Sequence, residues 1–329
     1  MNRKSPSIYV SAALDAAAND AFLAGVGDAH VIWPPAGAAV GVLGRGKPDP
    51  QMASADIVFG QPDVGQVAST QRIAWVQLTS AGYTAYDRPD VRAAFQARGA
   101  TLTKSSMVYD DPCALHVLAF MCSHARQLPG AFADQSGARE WPQTPLRARS
   151  GLLRGETVVI LGYGAIGRRL VQLLAPLHMR VSGIRRTVVG DEGVPTHAFE
   201  STGATQALAE ADHVINILPA SEATEGYFDE RSFGALKRGA VFYNIGRGTT
   251  VDQQALVSSL HTGHLAAAYL DVTQPEPLPP THALWTAPNC FITPHTAGGH
   301  ATELSRLVAH FLDNLHRFRA GSPLLDRVF

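Results

Sequence analysis

Cysteine is scarce in this sequence. Cys113, Cys122 and Cys290 are the only three in 329 residues, and none stands in a C-x-x-C pair. That argues against a disulfide scaffold and a cysteine-based zinc site, and no metal is expected. It also points to a reducing, cytoplasmic setting. An excess of charge is missing too. Lys and Arg number 27 against 28 Asp and Glu, a formal net charge of −1. Such a balance gives no general attraction to nucleic acid or to an anionic membrane. No apolar run reaches about 18 residues, so no membrane span is expected. The first residues do not read as a signal peptide, because Asp15 and Asp20 interrupt the apolar stretch. No short internal repeat or long low-complexity tract stands out. What the chain does have is apolar bulk. It is 46% hydrophobic and only 17% charged, with length for two domains of ordinary size.

The first hundred residues alternate short apolar runs with helical patterns. Strands are expected at Ser7–Ser11, His30–Trp33, Asp56–Phe59, Ile73–Leu78 and Thr101–Lys104, and helices at Ala12–Leu23 and Asp90–Arg98. Leu115, Leu118, Ala119, Cys122 and Ala125 repeat at helical spacing, so Pro112–Leu128 reads as a long helix leaving this first α/β domain. A second α/β unit follows. Its expected strands are Thr157–Leu161, Arg180–Ile184, His213–Leu218, Ala240–Ile245, Ala266–Leu270 and Cys290–Thr293, with helices such as Gln253–Leu260 between most of them. Ala301–Phe318 reads as a final amphipathic helix ended by Gly321 and Pro323. The predicted class is α/β, with two Rossmann-like, doubly wound parallel sheets and ligands expected at strand C-termini in a cleft between the domains.

Gly162-Tyr163-Gly164-Ala165-Ile166-Gly167 lies between the run Thr157–Leu161 and a helical pattern starting at Arg168. Strand, glycine turn and helix in that order is the context of a dinucleotide fingerprint. The first glycine permits the tight turn, the second lets backbone approach a pyrophosphate, and the third lets helix pack on strand. The helix N-terminus presents N–H groups to phosphate. An NAD site usually places Asp or Glu after the next strand, to hold the ribose 2′-hydroxyl. Here that strand ends in Arg185-Arg186-Thr187. A carboxylate would repel a 2′-phosphate, whereas two guanidiniums and a hydroxyl bind one. NADP(H) is therefore the expected cofactor, with NAD(H) as the lesser option.

Three further segments follow strands of the second unit. Asn244-Ile245-Gly246-Arg247-Gly248 flanks an arginine with glycines, and its planar fork suits a carboxylate. Leu270–Pro279 carries Asp271 and, in a loop stiffened by alternating prolines, Glu276. Thr293-Pro294-His295-Thr296-Ala297-Gly298 puts a histidine just beyond an apolar run. Singly each residue reads as a surface or packing group. Together, at three strand ends of one sheet that also carries a nucleotide site, they read as a catalytic set.

These segments resemble those of the D-isomer-specific 2-hydroxyacid dehydrogenase family, which includes the NADPH-dependent glyoxylate/hydroxypyruvate reductases. Trp75–Tyr83 is similar to the family's first-domain substrate loop, His116–Leu128 to its domain-crossing helix, and Pro323–Asp326 to its tail. The resemblance implies a discontinuous, flavodoxin-like substrate domain, 1–111 with 298–329, and an inserted NAD(P)-binding Rossmann domain at 112–297. It implies hydride reduction of a small 2-oxo acid to the D-2-hydroxy acid, with His295 as general acid/base and Glu276 hydrogen-bonded to its other ring nitrogen. Arg247 would bind the substrate carboxylate and polarise the ketone. Ser80, Ala81 and Gly82 would line the substrate, with the amides of Ala81 and Gly82 taking the other carboxylate oxygen. Asp271 resembles a residue near the nicotinamide carboxamide, Leu218-Pro219 the adenosine pocket, and Ile245, Gly246 and Gly298 further cofactor contacts. A homodimer is implied, paired through the nucleotide domain.

The chain departs from the family where Leu115, not an acid, precedes His116, so the roles of His116 and Tyr109 stay open. Formate dehydrogenases share the architecture but carry Gln in place of the Glu276 counterpart. The alternatives are a dehydrogenase for another small acid such as phosphite, and an NADP(H)-sensing, corepressor-like protein without significant turnover. The complete Arg, Glu and His set favours catalysis.

Overall fold

The apolar runs of the N-terminal part become five short strands, β1 (Ser7–Val10), β2 (His30–Ile32), β3 (Ile57–Gly60), β4 (Trp75–Leu78) and β5 (Thr101–Thr103). The computed structural model describes residues 5–188, 190 and 193–329. Two compact units emerge, Met1–Tyr109 with His300–Phe329, and Asp110–Gly299.

In the first unit the strands pair in parallel in the order β2-β1-β3-β4-β5, the flavodoxin-like winding. Helices cover both faces, so strands are apolar throughout rather than alternating. On one face Val58, Val76, Leu78 and Leu102 meet Val91 and Phe95 of the helix Pro89–Arg98. On the other, Phe311 stacks on Phe59 at 4.5 Å and on Trp75 at 5.2 Å between ring centroids. Phe311 belongs to Glu303–Ala320, whose buried stripe Leu307, Val308, Phe311 and Leu315 requires a partner sheet. The chain's last helix thus completes a core begun at its start. Most expected boundaries shift by a residue or two, and two helix starts move further. The first helix begins at Ala16 rather than Ala12, because Asp15 caps it by accepting from the Ala18 amide at 2.8 Å. Ala12 instead bridges to Val40. The long helix runs Ser106–Ala125, with Pro112 inside it rather than at its start. Gln127 in the left-handed region (φ 55°) then separates it from Leu128–Ser136.

In the second unit seven parallel strands, β6 (Thr157–Leu161), β7 (Arg180–Arg185), β8 (Thr196–Ala198), β9 (His213–Asn216), β10 (Val241–Asn244), β11 (Ala267–Leu270) and β12 (Cys290–Ile292), run in the order β12-β11-β10-β9-β6-β7-β8. The order reverses beside β6, which is the topological switch point of a dinucleotide-binding sheet. β8 is a strand the sequence does not announce: Thr-His-Ala carries no apolar run. Val159, Leu161, Val214, Phe242, Ala268 and Leu270 form the core on one sheet face with Phe228, Phe233 and Leu256. Among the described residues no helix is long and apolar enough to cross a membrane, and no group of three or more His, Cys, Asp or Glu is arranged to hold a metal ion.

Candidate active site

All strands of the second sheet are parallel, so the loops after β6, β7, β9, β10, β11 and β12 leave from one edge. The loop after β6 turns at Gly162, whose φ of +86° suits glycine. A side chain there would meet the Ile217 carbonyl oxygen at 2.7 Å, so the loops after β6 and β9 touch at the switch point. Gly164 precedes the helix Ala165–Leu174, and no side chain caps that helix. Its first N–H groups are left for an outside acceptor, and a methyl at Gly164 would meet nothing nearer than 3.7 Å. This cradle fits a pyrophosphate. Ala165 and Ile166 open the helix, and Gly167 lets it sit close to Ile160. Tyr163 turns the other way: its ring is buried over Gly183, leaving only its backbone in the turn. Arg185 ends β7, and Arg186 and Thr187 are exposed just beyond it.

A buried ladder of amides shapes the next two loops. Asn216 and Asn244 are register partners at the ends of β9 and β10. The Asn216 side chain donates to Asn244 Oδ1 at 3.1 Å and to Thr250 Oγ1 at 2.7 Å, and accepts from the Leu218 amide at 3.1 Å. Asn244 accepts from the Gly246 amide at 3.1 Å, and its Nδ2 and the Thr250 hydroxyl both donate to the Arg247 carbonyl, at 3.1 and 2.7 Å. The ladder sets Leu218-Pro219, Ile245, Gly246 and Arg247 at once. Arg247 Nη1 also donates to the Gly246 carbonyl at 2.6 Å. Burial lowers the Arg247 pKa, and the nearby Glu276 charge opposes that shift. An arginine stays charged through such a shift, and its desolvated fork is strengthened as an anion receptor. A side chain at Gly248 would fall on the Thr273 carbonyl, so only glycine fits there.

The histidine is held from two sides. His295 Nδ1 lies 2.7 Å from Glu276 Oε2, and Glu276 Oε1 accepts from the Thr273 amide at 3.0 Å. An ionised carboxylate only accepts, so the proton of this bond sits on Nδ1 and Nε2 is left for chemistry. The backbone at His295 is left-handed, φ 54°, a conformation that an L residue keeps only when its surroundings impose it. They do. The His295 amide donates to the Asp271 carbonyl at 2.8 Å. Asp271 Oδ1 accepts from Thr293 Oγ1 at 2.6 Å and the Thr296 amide at 2.8 Å, and Oδ2 accepts from the Ala297 amide at 2.9 Å.

The structure thus brings Arg247, Glu276 and His295 to three neighbouring loops. Asp271, a residue singled out for the cofactor, has both carboxylate oxygens committed to the histidine loop, and Gly298 follows directly on that loop. His116 Nε2 lies 3.1 Å from Thr293 Oγ1. In the first unit, Ser80 Oγ donates to the Gly82 carbonyl at 2.6 Å and accepts from Gln61 at 2.8 Å, so the Ser80 hydroxyl shapes the Ser80–Gly82 loop. Tyr109 supports the same loop through the Thr79 carbonyl at 2.7 Å, with Glu303 at 2.8 Å. Sequence reasoning passed over Asn216, Thr250, Thr273 and Thr293. Their one signal was position: Asn216, Thr273 and Thr293 sit at or just after a strand end, and Thr250 closes the short helical turn Gly248–Thr250 that follows Arg247.

Residues 118–297 match the family described as D-isomer specific 2-hydroxyacid dehydrogenase, NAD binding domain. The glyoxylate/hydroxypyruvate reductase B of Klebsiella pneumoniae (strain 342) is 32% identical over 269 residues, which are 80% of this chain and 81% of that protein. An uncharacterized protein in the proB 3′ region of Corynebacterium melassecola is 36% identical over 193 residues, 58% of this chain and 63% of the relative. Among solved structures, a D-isomer specific 2-hydroxyacid dehydrogenase from Xanthobacter autotrophicus Py2, in complex with NADPH and MES, superposes with a TM-score of 0.80 at 27% identity, covering 99% of this chain and 98% of that one.

Proposed function

The chain belongs to the D-isomer specific 2-hydroxyacid dehydrogenase family, and from that premise we propose that it reduces a small 2-oxo acid of the glyoxylate or hydroxypyruvate kind to the D-2-hydroxy acid, with NADP(H) as cofactor. The observation that carries this reading is the Thr273–Glu276–His295 line, with Arg247 near enough to feel the Glu276 charge. NADPH, when bound, supplies a hydride. The Gly162–Gly167 turn and the uncapped helix behind it would hold its pyrophosphate, and Arg185, Arg186 and Thr187 its 2′-phosphate.

The residues of the chain do the rest. Arg247 binds the substrate carboxylate and draws electron density from the ketone, and its burial strengthens both effects. As the ketone oxygen gains negative charge it needs a proton. His295 delivers it from Nε2, while Glu276 stabilises the imidazolium through Nδ1. The same Nε2 removes the proton in the oxidation direction. Glu276 also bears on the choice of substrate class. A substrate without a ketone oxygen needs no proton donor, so an anionic partner behind His295 favours 2-oxo acids over formate.

A homodimer is part of the reading. No residue of the helices Leu128–Ser136 and Gln143–Arg149 is buried. Phe132, Trp141 and Leu152 in and around them are 59%, 85% and 72% exposed. Exposed apolar side chains of that kind are what a second copy would cover.

The test is the decay of NADPH absorbance with glyoxylate, hydroxypyruvate and a panel of other 2-oxo acids, repeated with NADH, and the rise of the same absorbance when NADP+ or NAD+ is offered formate or phosphite, which are hydride donors. The expected result is turnover of a 2-oxo acid with NADPH preferred. Tight NADPH binding with no turnover of any acid would instead indicate a sensor.

A further inference from the structure

His116 lies on the helix Ser106–Ala125 and so far has no part in the chemistry. Its Nε2 is 3.1 Å from Thr293 Oγ1 and 3.8 Å from Asp271 Oδ1, the second too long for a hydrogen bond. The Thr293 hydroxyl has one proton, and the Asp271 carboxylate takes it at 2.6 Å. The face of that oxygen towards His116 is therefore a lone pair, and the bond forms only if His116 Nε2 carries a hydrogen. Phe120, one helical turn on, meets the imidazole edge-on with ring centroids 4.4 Å apart and limits its rotation.

The order of donors is thus fixed along one line. His116 Nε2–H donates to Thr293, Thr293 donates to Asp271, and Asp271 receives the Thr296 and Ala297 amides on either oxygen. His295 stands between Thr293 and Thr296, held left-handed at φ 54°. Resting on the reading that His295 is the proton donor, we propose that His116 is a positioning residue for the catalytic histidine, tethering the His295 loop to the long helix through Thr293 and Asp271. Without the donor on Nε2, Thr293 Oγ1 loses an anchor on its helix side. The loop then samples conformations in which His295 Nε2 points away from the ketone oxygen. Small displacements of a reacting group are costly in rate, up to about 100-fold for 1 Å.

The test compares His116→Phe, His116→Gln and Thr293→Val in the full chain. His116→Phe is expected to lower kcat for the 2-oxo acid roughly 10- to 100-fold, with KM for NADPH within about twofold of wild type. Glutamine carries an Nε2–H donor and is expected to restore most of the loss. The His116→Phe, Thr293→Val double variant should be little worse than the worse single one, since both break one line. A second readout needs no turnover. In ¹⁵N-histidine spectra the neutral wild-type protein should show His116 as the Nε2–H tautomer and His295 as Nδ1–H, and His116→Phe should change the His295 signals. A wild-type kcat in His116→Phe, a glutamine variant as poor as phenylalanine, or unchanged His295 signals would overturn the inference. Wild-type protein that reduces no 2-oxo acid would overturn the proposed function instead, and the tautomer measurement would still decide the role of His116.

Discussion

Replacing Glu276 by glutamine changes one atom's chemistry and almost nothing else. The carboxylate accepts twice, from the Thr273 amide at 3.0 Å and from His295 Nδ1 at 2.7 Å. A carboxamide has a single acceptor oxygen, so it keeps one of these bonds and turns its NH2 against the other. If the oxygen stays on Thr273, the NH2 faces Nδ1 and favours the Nε2–H tautomer, which cannot act as base for alcohol oxidation. If the oxygen serves His295 instead, the Thr273 amide faces a second donor. Either way the negative charge that stabilises imidazolium is gone. A hydrogen bond to a charged group contributes about 1.5–3 kcal/mol, and 1.36 kcal/mol is tenfold in rate. The expected loss in kcat is therefore roughly 10- to 150-fold. The side chains of His295 and Glu276 are 26% and 37% exposed, which draws the figure towards the lower half of that range. Steady-state kinetics in both directions measure it, with KM for NADPH as the control expected to stay put. A variant within twofold of wild type in both directions would refute the claim that Glu276 organises the proton donor.

Exchanging Arg185 and Arg186 for serine should raise KM for NADPH about tenfold or more while KM for NADH changes little, because only a 2′-phosphate loses charge-assisted bonds; equal effects on the two cofactors would argue against a phosphate site. Gly248→Ala should cost roughly 1–3 kcal/mol in chemical denaturation, because its methyl falls on the Thr273 carbonyl, and should lower kcat by shifting the amide that holds Glu276. Stability should fall on acidification. Burial lowers the pKa of His116 against the pull of Asp271, and burial aided by His213 lowers that of His124 against Glu156, both from 6.5. The unfolded chain then binds more protons than the folded one, so this stability is present above about pH 6.5 and drains away as pH falls through the lower folded values. Melting temperatures across that window should drop in wild type and drop less steeply in His124→Phe.

Much of the fold was legible because its signals are local. Strands buried on both faces read as apolar runs, and the Gly162–Gly167 turn needs its glycines at fixed spacing. The final helix shows its stripe, Leu307, Val308, Phe311 and Leu315, without any knowledge of its partner. Segments whose residues bury little gave no such signal, which is why β8 and the helices Leu128–Ser136 and Gln143–Arg149 passed unread. Pro112 read as a helix start and proved to lie within one, since a proline's local bias gives way to tertiary packing.

The same division holds at the site. Composition, the glycine turn and the residues after each strand were enough to point to a dinucleotide, to propose a phosphate role for two arginines and to single out three chemical groups, because residue type alone limits what each can do. Sequence could not say that Asp271 spends its carboxylate on the His295 loop, that Asn216 and Asn244 jointly aim Arg247, or that His116 reaches Thr293. Those are pairings between residues 22 to 177 positions apart. A hydrogen bond depends on tenths of an ångström and on direction, and only the folded chain sets either.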